Sequence, residues 1–170
     1  IYRLPNVFGK WSRPNYNSAV ATFCYNIVND LEIKIKDPDD FITLVYVDDV
    51  IDDFIKIFFE RPKGVLWPKV RTEYKISVGN LAKQIRSFKE SRSSMLIEAV
   101  GSGLTRALYS TYLSFHRPEQ VFYKLPIYED HRGRFVEMLK TKDSGQFSFF
   151  TTHPGVTRGG HYHHSKNEKF

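Results

Sequence analysis

Ile42-Thr43-Leu44-Val45-Tyr46-Val47, followed at once by Asp48-Asp49, is the stretch on which the fold turns. Six β-branched, apolar or aromatic residues in a row predict a strand buried on both faces. Ile51, Phe54, Ile55, Phe58 and Phe59 then recur at helical spacing, so a helix with an apolar stripe follows directly. Asp48 or Asp49 is its expected N-cap, where a carboxylate meets free amides and the positive helix end. Pro62 and Gly64 stop it.

The flanks repeat this alternation. Residues 1–8 read as a short buried strand running into Gly9. Val20, Phe23, Cys24, Ile27 and Val28 predict a helix within 17–30. A third helix starts at Ser77 and runs through Leu81, Ile85 and Phe88, and a fourth covers Leu104 to Leu113. The fold class is therefore α/β up to about Phe115. Beyond Phe115-His116-Arg117-Pro118 the pattern changes to period two, at Val121 and Tyr123, Phe135, Glu137 and Leu139, then Phe147 and Phe149. Turn residues stand at Asp130-His131-Arg132-Gly133 and Asp143-Ser144-Gly145. Short strands between regular turn signals predict an all-β barrel or sandwich. The junction is expected at 114–119, giving units 1–115 and 119–170.

Composition narrows the class of function. Hydrophobic content of 41% with 15% aromatics means a globular chain. Net charge is +6, but the basic residues are scattered. Arg86, Lys89 and Arg92, three apart on one helix, read as a solvated face and not as a nucleic-acid stripe. A moderate positive balance suits an anionic small substrate such as a sugar nucleotide. Cys24 is the sole cysteine, which excludes an internal disulfide and fits a reducing cytoplasm. No apolar run is long enough to span a membrane. The chain opens on Ile1 and closes inside a motif, and so reads as an internal fragment of a longer protein.

That closing motif carries chemistry. Within Gly155-Val156-Thr157-Arg158-Gly159-Gly160-His161-Tyr162-His163-His164, His161 and His163 lie two apart and share a strand face, with His164 on the other. A turn at Ser165-Lys166-Asn167 brings Glu168 back beside them. Two imidazoles and a carboxylate are the donor set of an open transition-metal site. Two other patterns are decoys. Gly101-Ser102-Gly103 imitates a dinucleotide loop, but Arg106 stands where a third glycine must allow close packing. Tyr162 and Lys166 have a catalytic spacing that works only on a helix.

Three resemblances follow. Arg3-Leu4-Pro5-Asn6-Val7-Phe8-Gly9 and, about forty residues on, Leu44-Val45-Tyr46-Val47-Asp48-Asp49-Val50 resemble the substrate half of extended short-chain dehydrogenase/reductases. The resemblance implies a Rossmann-type domain using NADPH. The backbone at Leu4 and Pro5 would border the nicotinamide, Asn6 would bond the nucleotide-sugar phosphates, and Asn17, Ser18 and Val20 would border the substrate. Phe41, Ile42 and Thr43 stand where that family often carries a diphosphate-binding arginine. The glycine loop and the catalytic Tyr-Lys pair belong upstream of Ile1.

The spacing Gly-x5-His-x-His-x4-Glu resembles the first cupin motif. Asp130 to Glu137 and Gly155 to Tyr162 resemble the deoxysugar epimerases of that superfamily. This implies the start of an all-β cupin barrel, with His161, His163 and Glu168 holding a divalent metal, zinc by preference, and a fourth histidine downstream. Arg158 would sit near the substrate's diphosphate or an enolate oxygen.

The order of the two parts resembles the bifunctional capsular-polysaccharide enzymes of the UDP-N-acetyl-L-fucosamine pathway, over essentially all 170 residues. It implies a cytoplasmic homo-oligomer acting on a UDP-4-keto-6-deoxy-N-acetylhexosamine. The cupin would invert carbon 3 and the reductase would then reduce the carbon-4 ketone, with no nucleic acid and no membrane insertion. Two alternatives stay open: a single-activity reductase whose cupin binds ligand or scaffolds an oligomer, and a non-catalytic metal-binding cupin.

Overall fold

The computed structural model describes residues 1–160 and 162–164. The chain forms two compact units, Ile1–Tyr123 and Lys124–Phe170. No helix among the described residues is long and apolar enough to cross a membrane.

In the first unit, β1 (Asn6–Phe8) pairs parallel with β2 (Phe41–Tyr46), and β3 (Tyr74–Ser77) pairs antiparallel on its other side. The two-residue period of β2 decides what it touches. Leu44 joins Phe8 and the apolar faces of α1 (Ala19–Val28), α3 (Val78–Ser94) and α4 (Gly103–Leu113) in the main core. Val45 points the other way, into a small cluster with Val50 and Val70. Val50 belongs to α2 (Val47–Glu60), which leaves β2 without a loop.

The helix ends follow local chemistry, with one correction. Ser18 Oγ accepts from Ala21 N at 3.2 Å and Ser77 Oγ from Asn80 N at 3.3 Å, each satisfying an otherwise free amide. Neither Asp48 nor Asp49 caps α2. Its N-cap is Tyr46, without a side-chain bond, because the helix begins one turn earlier than its apolar stripe. Both carboxylates lie in the first turn, where they still face the positive helix end. Arg61 ends α2 in the left-handed conformation at φ 45°, immediately before Pro62.

Two cations expected on a solvated face tie elements together instead. Lys89 Nζ donates to Ile27 O at 2.9 Å, satisfying a carbonyl in the last turn of α1, and to Asp30 Oδ1 at 2.5 Å. Arg92 Nη1 donates to Gln120 O, and its guanidinium lies 5.2 Å from the centroid of the Tyr123 ring. Those contacts hold α5 (Pro118–Val121) in the first unit. The chain therefore divides after Tyr123, later than the expected 114–119.

The second unit is an antiparallel sheet of β4 (Tyr128–Asp130), β5 (Gly133–Lys140) and β6 (Gln146–Phe150), in that order. Both expected turns are present. Gly133 is needed at the first: its φ is +134°, and a Cβ there would run into the Thr151 carbonyl oxygen. The register shifts between Glu137 and Leu139. The expected barrel or sandwich is not what the described residues form. Three strands make an open sheet, because closure requires further strands.

Candidate substrate and metal sites

Leu4 and Pro5 lead into β1 and Asn6 begins it. Asn6 lies beside Leu44 in the parallel register and so shares the sheet face that packs on α1. Its Nδ2 donates to Thr43 O at 3.0 Å. The rest of the carboxamide has no partner among the described residues and is exposed. Asn17 is exposed just before α1, and Ser18 is the cap. Val20 is 1% exposed, a core side chain that leaves only its backbone for a ligand.

The loop from Gly9 to Asn17 escaped the sequence reading. Ser12 Oγ donates to Gly9 O at 2.8 Å, Trp11 N to Ser114 Oγ at 3.1 Å, and Asn15 N to Thr22 Oγ1 at 2.9 Å. Trp11 and Asn15 both hold positive φ, 60° and 54°. The Arg13 guanidinium lies 5.4 Å from the Tyr16 ring centroid. Five scattered polar and aromatic residues show no period, which is why pattern alone missed them.

A cleft of about 640 Å³ opens at the carboxyl ends of β1 and β2, lined by Lys10, Tyr46, Asp48, Asp49, Tyr74 and Arg106 among others. Gly9 belongs to this junction, since a Cβ there would run into Val47 Cγ1. Lys10 Nζ binds Asp48 Oδ2 at 3.1 Å and lies 5.9 Å from the ring centroids of Trp11 and Tyr46. The bond to Asp48 raises the lysine pKa. Burial raises that of Asp49, as do the neighbouring charges of Asp52, Asp48 and Asp53, against a lowering by Arg106. None of the residues expected to touch nucleotide or substrate lines this cleft. Gly101-Ser102-Gly103 is only the start of α4, with Ser102 as N-cap.

In the second unit, Arg158 stands beside Asp130, Nη2 to Oδ1 at 3.7 Å. Arg132 Nε and Nη2 donate to Asp130 Oδ2 at 2.9 and 2.6 Å, and its backbone N–H to Oδ1 at 2.8 Å. Those bonds hold the Asp130 carboxyl down to about 2. The Arg158 side chain is 24% exposed, and its Nε is buried with no hydrogen-bond partner among the described residues. A buried guanidinium N–H left without an acceptor is costly.

Of the expected metal ligands, His163 is described and exposed, whereas His161 and Glu168 lie outside the described residues. Among the described residues no three His, Cys, Asp or Glu side chains gather as a metal site. His164 packs edge-on to the Tyr162 ring at 5.0 Å. Tyr162 lies in no helix, and Lys166 is outside the described residues.

Comparison with known proteins adds the following. Residues 128–170 match the family described as Polysaccharide biosynthesis C-terminal domain. All 170 residues align, at 62% identity, with 46% of the UDP-2-acetamido-2,6-beta-L-arabino-hexul-4-ose reductase of Pseudomonas aeruginosa. The capsular polysaccharide assembling protein CapF of Staphylococcus aureus is 40% identical, with a TM-score of 0.86 over 96% of this chain and 45% of its own. The similarity to CapF runs through both units. A CapF structure with the inhibitor 3-isopropenyl-tropolone gives a TM-score of 0.88, also at 40% identity, over 96% of this chain and 48% of that one.

The chain spans about half the length of the relatives it matches. A UDP-glucose 4-epimerase of Thermotoga maritima, 18% identical, gives a TM-score of 0.52 over 67% of this chain and 44% of its own. The α/β part therefore shares its fold with the matched part of that structure.

Proposed function

We propose that the chain is the middle of a bifunctional nucleotide-sugar enzyme of capsular-polysaccharide synthesis. Its first unit is the substrate half of an NADPH-dependent reductase domain, and its second opens a metal-dependent cupin epimerase domain. The substrate is a UDP-4-keto-6-deoxy-N-acetylhexosamine. The observation that carries this reading is the 62% identity, continuous across both units, to a reductase whose name specifies a UDP-acetamido-hexulose.

The residues take the following roles. The backbone at Leu4 and Pro5 would border the nicotinamide, which would supply the hydride for reduction of a carbon-4 ketone. Asn6, with carboxamide groups to spare, bonds a phosphate oxygen, and Asn17, Ser18 and the Val20 backbone border the nucleotide sugar. In the second unit, His161, His163 and Glu168 would hold a divalent ion. Two imidazoles and a carboxylate fit zinc, and iron, manganese or nickel share the same donors. A bound ion supplies Lewis-acid polarisation of a ketone oxygen. Arg158, which stands beside Asp130, would offer hydrogen bonds to negative charge developing on the substrate oxygen.

Two assays on the full-length protein test this separately. NADPH oxidation with the 4-keto sugar nucleotide reports the reductase. Solvent-deuterium incorporation at carbon 3 reports the epimerase. His161→Ala or His163→Ala should remove the metal and the exchange while hydride transfer to the epimerised substrate survives. His164→Ala should keep the metal. Exchange that persists in a metal-depleted His163→Ala protein would rule out the metal-dependent route.

A further inference from the structure

We propose that Lys10 is a positioning residue for the nucleotide sugar. Through its ion pair with Asp48 it fixes the path of the segment that carries Asn17 and Ser18 to the head of α1. The inference deepens the reading that puts those two residues beside the substrate, and rests on it.

Residues Gly9 to Asn17 join β1 to α1 without strand or helix. Trp11 and Asn15 hold left-handed backbone there, at φ 60° and 54°, although neither is glycine. Such conformations are costly and persist only where the surroundings impose them. Burial does not impose them. Within the segment only Gly9 is buried, and Trp11 is 81% exposed. Polar ties do the holding. Ser12 Oγ to Gly9 O and Asn15 N to Thr22 Oγ1 close local turns. Two others reach distant elements: Trp11 N donates to Ser114 Oγ at 3.1 Å, and Lys10 Nζ to Asp48 Oδ2 at 3.1 Å. Those two decide where the segment lies against the rest of the unit.

The Lys10 tie belongs to a joint. Phe8 and Tyr46 are partners in the parallel register, so the chain leaves both strands at one place. Gly9 meets the Val47 side chain there, with no room for a Cβ. Lys10 and Asp48 are the next residues on the two sides. Asp48 is held in the first turn of α2, which follows β2 without a loop. A segment fixed in its path beforehand lowers the ordering entropy that ligand binding must overcome. As a stabilising contact alone the pair would do little, because its side chains are 32% and 48% exposed. Lys56 and Glu60, an exposed ion pair further along α2, serve as the control.

The experiment uses the full-length protein, with steady-state kinetics on the keto-sugar nucleotide and calorimetric titration with UDP. Lys10→Met and Asp48→Ala change local charge in opposite directions. A field acting on the anionic substrate would raise KM in the first and lower it in the second. A positional role raises KM and weakens UDP in both, about twofold to fivefold, the span of one exposed ion pair, with kcat unchanged. The double variant should be no worse than the worse single one. Lys10→Arg should keep the parent KM, and Lys56→Met should match the parent. In the free protein, amide exchange at Trp11 and Asn15 should quicken in both single variants and slow again with UDP bound. Opposite KM changes, additive effects in the double variant or a parent-like KM in either single variant would overturn the assignment and leave the nucleotide-sugar reading standing. A parent protein that neither binds UDP nor reduces the keto-sugar nucleotide would overturn both.

Discussion

The helix-covered side of the first sheet and the outer side of α2 carry similar residues to opposite effect. On the covered side Phe88 is 2% exposed, its ring 5.1 Å from Tyr109 and 5.7 Å from Tyr112. On α2, Phe58 and Phe59 are 68% and 75% exposed, and Val50 is the helix's one buried residue. An apolar stripe states that a helix wants cover. Whether cover exists depends on a second element arriving. Helices α1, α3 and α4 supply it to one another, while Phe58 and Phe59 of α2 stay exposed, packed edge-on against each other. The second unit resembles α2 in this respect: Phe147, Phe149 and Phe150 all stay exposed on β6.

The contrast can be broken by mutation, and the largest effect belongs to the covered side. Phe88→Ala should cost about 3–5 kcal/mol in urea unfolding of the 170-residue chain, by lost transfer energy and the cavity left behind. Next come the polar ties beneath that core. Ser77→Ala removes the α3 cap and should cost about 1 kcal/mol in the same measurement. Lys89→Met removes the ammonium that donates to Asp30 and leaves Ile27 O with only the Asp30 N–H at 3.5 Å, for a loss of about 1 kcal/mol.

A smaller effect concerns the second unit and depends on pH. Asp130 titrates near 2 in the fold, chiefly through its bonds to Arg132, against about 3.9 in an unfolded chain. A depressed carboxylate pKa contributes stability that is fully present above about pH 4 and is lost as pH falls toward 2. Amide exchange in the β4–β5 hairpin should quicken over that window. In Asp130→Asn the window should disappear. A hairpin whose exchange tracks acid identically in both proteins would remove Asp130 as the cause.

The smallest effect is the sharpest test of the comparison. Phe58→Ala should change the stability of the 170-residue chain by less than about 0.5 kcal/mol. If it costs as much as Phe88→Ala, the α2 stripe is covered after all and the two sides do not differ.

Local spacing was enough to mark the strand at 42–47, the helices at α1, α3 and α4, and both hairpin turns, because strand and helix periods are short-range properties of the backbone. Spacing also nominated Asn6, Asn17 and the Gly155-to-Glu168 motif, through resemblance. What it left open depends on distant partners. Lys10 meets Asp48 across 38 positions, and Trp11 meets Ser114 across 103. Neither pair leaves a periodic trace. The start of α2 at Val47, the use of Arg92 and Lys89 as ties and the boundary after Tyr123 are of the same kind. Val20 shows the limit most plainly: its sequence position suits either a substrate loop or a core. The packing of α1 on Leu44 and Phe8 turned its side chain inward, because burying an apolar side chain is favourable wherever the fold offers a place for it.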